Sequence, residues 1–405
     1  MEILAQHTII IPTYNRPDLV QQLVRFYRNE APHMKLLVLD SSIPEMARIN
    51  QEKLAGGEPL LVYRHYPSAI PMAKKLAQGL GEVTTPTVSF CADDDVVFPH
   101  AINHSIDFLN QASDYVCSHG LYLIFRPEAE KVYMFIENSG RSMDAQHAGA
   151  RIFRLCQNYE SLFYAVFPTQ QLQRIFAEVR NILSLHFQEF FQSIGSLILG
   201  KVNRFSDFYA ARRMGPEAEP GREKWNTFYW FADDPQDVLQ HYNDYRQLAF
   251  AFYEQAGAAP LLSKDAFLRA FDLSHAVYFG RSCPPHYFHE RLQELWPQDT
   301  FIREPVDLFE ELRGQTPSIF PPQMREWFAE IQWGMENIHK LPAIQNWRRR
   351  PLKKMNKKIA QDYQSGHHQQ PWSCELLPNF LWLAKLNGFK QSFNGLCRYL
   401  DCAES

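Results

Sequence analysis

The sequence lacks most features that place a chain in a functional class at a glance. Its 405 residues hold 7 cysteines, an odd number, scattered from Cys91 to Cys402 with no Cys-x-x-Cys pair. Disulfide frameworks use even sets and zinc sites use paired cysteines, so free thiols in a reducing compartment fit better. No apolar run approaches the ~20 residues that span a bilayer. The longest, Ser193–Leu199, is far shorter. The N-terminus, Met-Glu-Ile-Leu-Ala-Gln-His, has no basic stretch ahead of a long apolar core, unlike a secretory signal. A cytoplasmic protein is the expectation. Charge of one sign is lacking too: 41 basic side chains face 45 acidic ones, a net charge of −4. That balance argues against nucleic acid as a partner. There is no GxGxxG, Walker A, HExxH or GxSxG motif, which sets back dinucleotide oxidoreductases, P-loop ATPases, zinc proteases and serine hydrolases. Internal repeats and low-complexity tracts are missing as well.

What is present is a chain built to bury a core. It is 45% hydrophobic and 14% aromatic, outside the range of bulk disorder, and its length suggests two or three domains of roughly 150 residues each. The first part alternates strand and helix signals. Thr8–Ile11 is a β-branched run ended by Pro12. Pro17 can open a helix, because its missing N–H needs no partner in the first turn. Leu19, Val20, Leu23, Val24 and Tyr27 then fall on one helical face. Lys35–Leu39, Leu60–Tyr63 and Thr87–Phe90 are further strands. Pro71–Gln78 reads as a helix ended by Gly79 and Gly81. Strands separated by helices predict right-handed crossovers and a mostly parallel sheet, in which ligands sit at the carboxyl ends of the strands.

Tyr115–Phe125 and Lys131–Ile136 read as a β-hairpin, followed by helices near 168–182 and 186–200 and a surface loop at 215–225. From about Asp233 strand signals fade. Val238–Phe252, Ser263–Asp272, Pro305–Leu312, Pro322–Asn337 and Leu376–Leu386 have helical spacing. The expected fold is an α/β domain over residues 1–232 and an α-helical domain over 233–405.

The sharpest chemical feature is Asp93-Asp94-Asp95 at the end of an apolar strand. Adjacent carboxylates repel one another, and a divalent cation removes that cost. Hard oxygen ligands suit Mg²⁺ or Mn²⁺. On extended chain Asp93 and Asp95 point the same way. The alternative is a solvated acidic turn that caps the helix after it. The polar turn in Ile9-Ile-Ile-Pro-Thr-Tyr-Asn-Arg16 can present backbone amides and short side chains to a nucleotide. Asp40, in Asp40-Ser41-Ser42, can accept hydrogen bonds from a base or ribose, or can simply cap the turn.

Together these segments resemble inverting nucleotide-sugar glycosyltransferases of the GT-A fold, the family-2-like group. Ile11-Pro-Thr-Tyr-Asn-Arg-Pro17 is similar to that family's first strand and nucleotide loop. Leu36–Ser42 stands at its Asp-rich turn, Ser68–Gly81 at its helix before the metal strand, and Phe90–Asp95 at its Asp-x-Asp strand. The resemblance covers about the first 210 residues. It implies a GT-A (Rossmann-like) fold, with Pro12, Thr13, Tyr14, Asn15, Arg16 and Asp40 on the nucleotide and Asp93 and Asp95 on Mn²⁺ or Mg²⁺. The family often has an acidic residue where this chain has Ala92, a register in which Asp94 replaces Asp93 in one role and joins the cofactor-binding residues. Lys74 or Lys75 reaches the diphosphate or lies on a solvated helix face.

The resemblance also implies a catalytic base at the start of a downstream helix. Glu189 fits that place and Asp207 is the reserve; a helix-start Glu favoured by the dipole is the plain alternative for Glu189. The expected activity is metal-dependent transfer of a sugar from a nucleoside diphosphate sugar to a glycan, lipid-linked or protein acceptor. A nucleotidyltransferase and a catalytically inactive scaffold are the rivals. The basic run Trp347–Ile359 reads as a solvated loop or, through Arg348–Lys358, as contact with an anionic membrane. Self-association is left open.

Overall fold

Strand β1 (His7–Thr13) is buried along its whole length. A strand covered on both faces sits inside a sheet with layers above and below it. Those layers follow from the alternation of its side chains. Ile9 and Ile11 enter one core and Ile10 the other, and in β2 (Lys35–Asp40) Leu36 and Val38 part from Leu37 and Leu39 in the same way. The computed structural model describes residues 3–55, 59–128, 131–138, 141–213, 235–257, 262–282, 373–376 and 389–402.

The first sheet also contains β3 (Leu61–His65), β4 (Thr87–Phe90) and β8 (Phe167–Pro168), in the order β3-β2-β1-β4-β8. β1 to β4 are parallel, and β8 joins β4 antiparallel. Helix α1 (Pro17–Glu30) opens with Pro17 and buries Val20, Leu23, Val24 and Tyr27 of the predicted face, while Leu19 is half-buried. α2 (Pro44–Leu54) has no clear signal in the sequence. Asn50 interrupts its buried stripe of Ala47 and Leu54, so its apolar pattern is broken by a residue with another task. α3 (Met72–Glu82) runs through Gly79 and Gly81 rather than stopping at them. Gly79 is there for close approach: a Cβ at that position would run into Leu39 of β2.

After β4 the chain enters a second sheet through β5 (Val96–Val97) and then forms α4 (Pro99–Gln111). The predicted hairpin is β6 (Tyr115–Glu128) against β7 (Lys131–Asn138), paired antiparallel to Glu128↔Lys131. Next come α5 (Ala148–Gln157), α6 (Thr169–Val179), α7 (Leu185–Leu199) and β9 (Lys201–Arg213). β9 runs parallel to β6 with three register shifts. Those irregularities spoil the two-residue alternation that would announce a strand. With β10 (Ser373–Leu376) the sheet order is β10-β7-β6-β9-β5. This outer strand lies in the part expected to form an α-helical domain.

α8 (Pro235–Ala256) and α9 (Lys264–Ser282) bear out the helical reading of 238–252 and 263–272. Their Tyr242, Tyr245, Phe252 and Phe271 share a core with Ile10, Phe90 and Phe191. α10 (Phe389–Asp401) covers the other side, where Phe393, Leu396 and Tyr399 join Ile9, Val38 and Phe26. The expected boundary at 232/233, the loop at 215–225, the helices at 305–312 and 322–337 and the basic run at 347–359 fall outside the described residues, as does 377–386 of the segment that starts at Leu376.

Candidate active site

Because β1, β2 and β4 are parallel, their carboxyl ends open on one edge of the sheet. β2 and β3 extend to one side of β1 and β4 lies on the other. Such a reversal of strand order leaves a crevice between the loops, the usual ligand site of an open α/β sheet. Three loops meet here: Tyr14–Arg16 after β1, Ser41–Ile43 after β2, and Cys91–Asp95 between β4 and β5.

The first and third loops are joined directly. The Thr13 hydroxyl donates to Asp93 Oδ2 at 2.7 Å. Arg16 Nη1 donates to Asp94 Oδ2 at 2.8 Å and to Asp93 Oδ1 at 3.3 Å. The first and second loops are laced through Asn15, whose φ of 56° is left-handed, a conformation that Asn tolerates better than most residues. Its N–H donates to Ser42 Oγ at 2.8 Å, and its Oδ1 accepts the Ile43 N–H at 2.9 Å. Pro12 is buried in β1, and Tyr14 is 49% exposed at the rim.

Asp40 is fully buried and committed to the crevice wall. Its carboxylate accepts the Ser42 N–H at 2.7 Å, Asn50 Nδ2 at 2.8 Å and the Tyr63 hydroxyl at 2.7 Å. Burial alone would raise its pKa, but these donors outweigh it and hold the carboxyl below its ordinary value. Asn50 interrupts the stripe of α2 because it serves this carboxylate.

Asp93 and Asp95 are each 4% exposed. Loss of water and then the neighbouring Asp94 raise the Asp93 pKa to about 6, against Thr13 and Arg16. Burial and Asp94 likewise raise Asp95 to about 7, although Arg212 opposes the rise. The Tyr164 hydroxyl donates to Asp95 Oδ2, the Arg213 N–H donates to Oδ1 at 2.7 Å, and Arg212 Nε lies 3.6 Å away. Among the described residues no three His, Cys, Asp or Glu side chains form a complete metal cage. A cation held by one or two carboxylates and completed by phosphate oxygens needs no such cage. Carboxylates whose protons are held toward neutral pH by burial and by a neighbouring carboxylate fit a cation of that kind.

Tyr164, Arg212 and Arg213 carried no readable signal. They are remote in sequence: Arg212 and Arg213 reach Asp95 because β9 pairs with β5 at Ala211↔Val96, and Tyr164 reaches it from the loop that precedes β8. The two lysines divide. Lys74 is exposed, whereas Lys75 is buried with Nζ on the Thr13 carbonyl and the Ser41 hydroxyl.

Glu189 stands on α7 and accepts the Tyr159 hydroxyl at 3.2 Å. Among the described residues its hydrogen bond is to Tyr159 and not to the aspartates. One loop links the two places: residues 158–166 carry Tyr159 to Glu189 and Tyr164 to Asp95, and the Leu162 N–H donates to Ser193 Oγ of α7 at 3.4 Å. Asp207 lies on β9, five residues before Arg212. It faces His104 of α4 at 3.7 Å.

No curated protein matches the chain. Among solved structures it is similar to residues 1–349 of TarS from S. aureus, at 12% identity and a TM-score of 0.39, over 76% of this chain and 91% of that one. It is also similar to a mannosyltransferase from Pyrobaculum calidifontis solved with GDP-Man and Mn²⁺, at 12% identity and a TM-score of 0.39, over 83% and 88% of the two chains. The family model described as glycosyl transferase family 2 matches residues 8–157. That span runs from β1 through the three loops and the aspartates to the end of α5, so the part of the chain that builds the crevice carries the pattern of glycosyl transferase family 2.

Proposed function

We propose that this protein transfers a sugar from a nucleoside diphosphate sugar to a glycan, lipid-linked or protein acceptor, with inversion at the anomeric carbon. The observation that carries the reading is the convergence of Thr13 and Arg16 with Asp93 and Asp94 at the crevice, within the span that matches the family. The Pro12–Arg16 turn and the Ser41–Ile43 wall ordered by Asp40 receive the nucleotide. Asp93 and Asp95 are the residues that would hold Mn²⁺ or Mg²⁺, with Asp94 held by Arg16. Such a cation supplies positive charge that offsets the charge developing on the departing diphosphate. Tyr164 and the Arg213 amide fix the orientation of Asp95 in advance. Glu189, oriented by Tyr159, takes the proton from the acceptor hydroxyl, with Asp207 as the reserve. Residues 233–405 serve acceptor binding, and Arg348–Lys358 meets an anionic membrane from the cytoplasmic side.

The test uses purified full-length protein with UDP, GDP, CDP and dTDP, each with and without Mn²⁺. Ligand at 100 times its Kd adds about 2.7 kcal/mol to stability, which a melting curve resolves. Stabilisation by one nucleotide that depends on Mn²⁺ supports the site. Incubation with the matching nucleotide sugar then releases nucleoside diphosphate; release of pyrophosphate instead would identify a nucleotidyltransferase and sink the proposal.

A further inference from the structure

Lysine is rarely buried without a partner of opposite charge, yet Lys75 of α3 is 1% exposed and makes no direct ion pair among the described residues. Its ammonium has three protons to donate. Two go to uncharged acceptors, the Thr13 carbonyl at 3.1 Å and the Ser41 hydroxyl at 2.7 Å. The Ser41 N–H also donates to the Thr13 carbonyl at 3.2 Å, so Lys75 closes a small ring across the ends of β1 and β2. Burial lowers its pKa to about 8, and the fields of Asp40 and Asp93 oppose that fall.

A spacer at this point needs no charge. A well-packed apolar side chain often replaces buried charge with no loss of stability. The charge has another use in this setting. Asp40, Asp93, Asp94 and Asp95 put four carboxylates around the crevice, against Arg16, Arg212 and Lys75. An anionic ligand entering such a place meets a field of its own sign unless cations are built into the walls. Arg16 is already engaged by Asp93 and Asp94, and Arg212 lies beside Asp95. Lys75 is the cation set between the two loops that receive the nucleotide.

We propose that Lys75 is a positioning residue for the diphosphate of the donor: it locks the loop after β1 to the loop after β2 and supplies fixed positive charge beneath the crevice without leaving the core. This rests on the nucleotide-binding reading above. The test compares full-length wild type with Lys75→Met, a side chain of similar length without charge. Lys75→Gln, which keeps a donor, is the second variant should the first fail to melt cooperatively. Calorimetry measures the nucleoside diphosphate that wild type prefers, the matching uncharged nucleoside, and inorganic pyrophosphate. The variant should bind the diphosphate and pyrophosphate at least tenfold more weakly, with the nucleoside changed less than threefold. Equal loss for nucleoside and diphosphate would show that Lys75 only shapes the pocket and would overturn the proposal, as would unchanged affinity. The pyrophosphate arm separates the two readings. If wild type binds pyrophosphate and the variant does not, Lys75 keeps its role even where no nucleoside diphosphate binds; if wild type binds no pyrophosphate, the proposal falls.

Discussion

Asp93 and Asp95 show how a residue can be legible in kind but not in state. Three consecutive aspartates after an apolar strand announce a site that wants positive charge. The sequence does not reveal that two of them are cut off from water. In the structure their pKa values rise to about 6 and about 7, through burial first and the neighbouring Asp94 second. The folded state therefore holds these protons to higher pH than the unfolded chain does. Its stability should fall as pH rises from about 4 to about 7 and then level off, each tenfold gain in proton affinity on folding counting about 1.4 kcal/mol. A divalent cation competes with the same protons, so stabilisation by Mn²⁺ should be small near pH 5 and larger near pH 8. Thermal melts at the two pH values with and without Mn²⁺ measure both effects; equal Mn²⁺ shifts would contradict the assignment. Asp95→Asn removes the charge and keeps the shape. It should leave the melting temperature near pH 8 at or above that of wild type and cut turnover by about 100-fold or more, on the scale of losing one preorganised electrostatic contact.

At the scale of elements, periodicity worked where one face packs and failed where a residue serves two purposes. α1 and β1 are readable because most of the burial in α1 follows a 3.6-residue period and β1 is a continuous buried run. α2 was hidden by Asn50, which leaves the core stripe to bond Asp40. α3 reads as too short in the sequence because glycine ordinarily ends a helix, whereas Gly79 lets α3 lie against Leu39. Gly79→Val should therefore cost about 1–3 kcal/mol through overpacking, read as a lower urea midpoint with an unchanged slope. The loop at 158–166 left no pattern at all, since its role is to present Tyr164 to Asp95 and Tyr159 to Glu189. Tyr164→Phe removes one hydrogen bond to a charged group, worth about 1.5–3 kcal/mol. Activity measured at saturating donor should drop by roughly ten- to a hundredfold. An unchanged rate would mean that the orientation of Asp95 does not depend on Tyr164.

Among the described residues, the last helix returns to the first sheet in a way that no local pattern could announce. α10 begins 389 residues into the chain, yet it packs on α1 and on the end of β9. Gln22 Nε2 donates to the Tyr399 carbonyl at 2.8 Å, and Arg398 forms a two-pronged pair with Glu30 at 2.6 and 2.7 Å. Phe393, Leu396, Tyr399 and Leu400 are buried in the core that backs β1 and β2. Arg213, whose amide holds Asp95, lies with its guanidinium over the rings of Phe125 and Tyr399. The end of the chain is thus part of the wall behind the acidic loop. Each large apolar side chain withdrawn from water contributes about 1.5–3 kcal/mol before the entropy cost of ordering it, so losing all four is a loss comparable to the roughly 5–15 kcal/mol net stability of a domain. Deletion of residues 389–405 should leave a chain that fails to melt cooperatively and aggregates on expression. Arg398→Ala tests the opposite limit, because a half-exposed ion pair contributes about 0–1 kcal/mol and the variant should keep both its fold and its nucleotide affinity. A soluble, cooperatively folded deletion variant that binds nucleotide as wild type does would show that α10 is an accessory to this core and not a part of it.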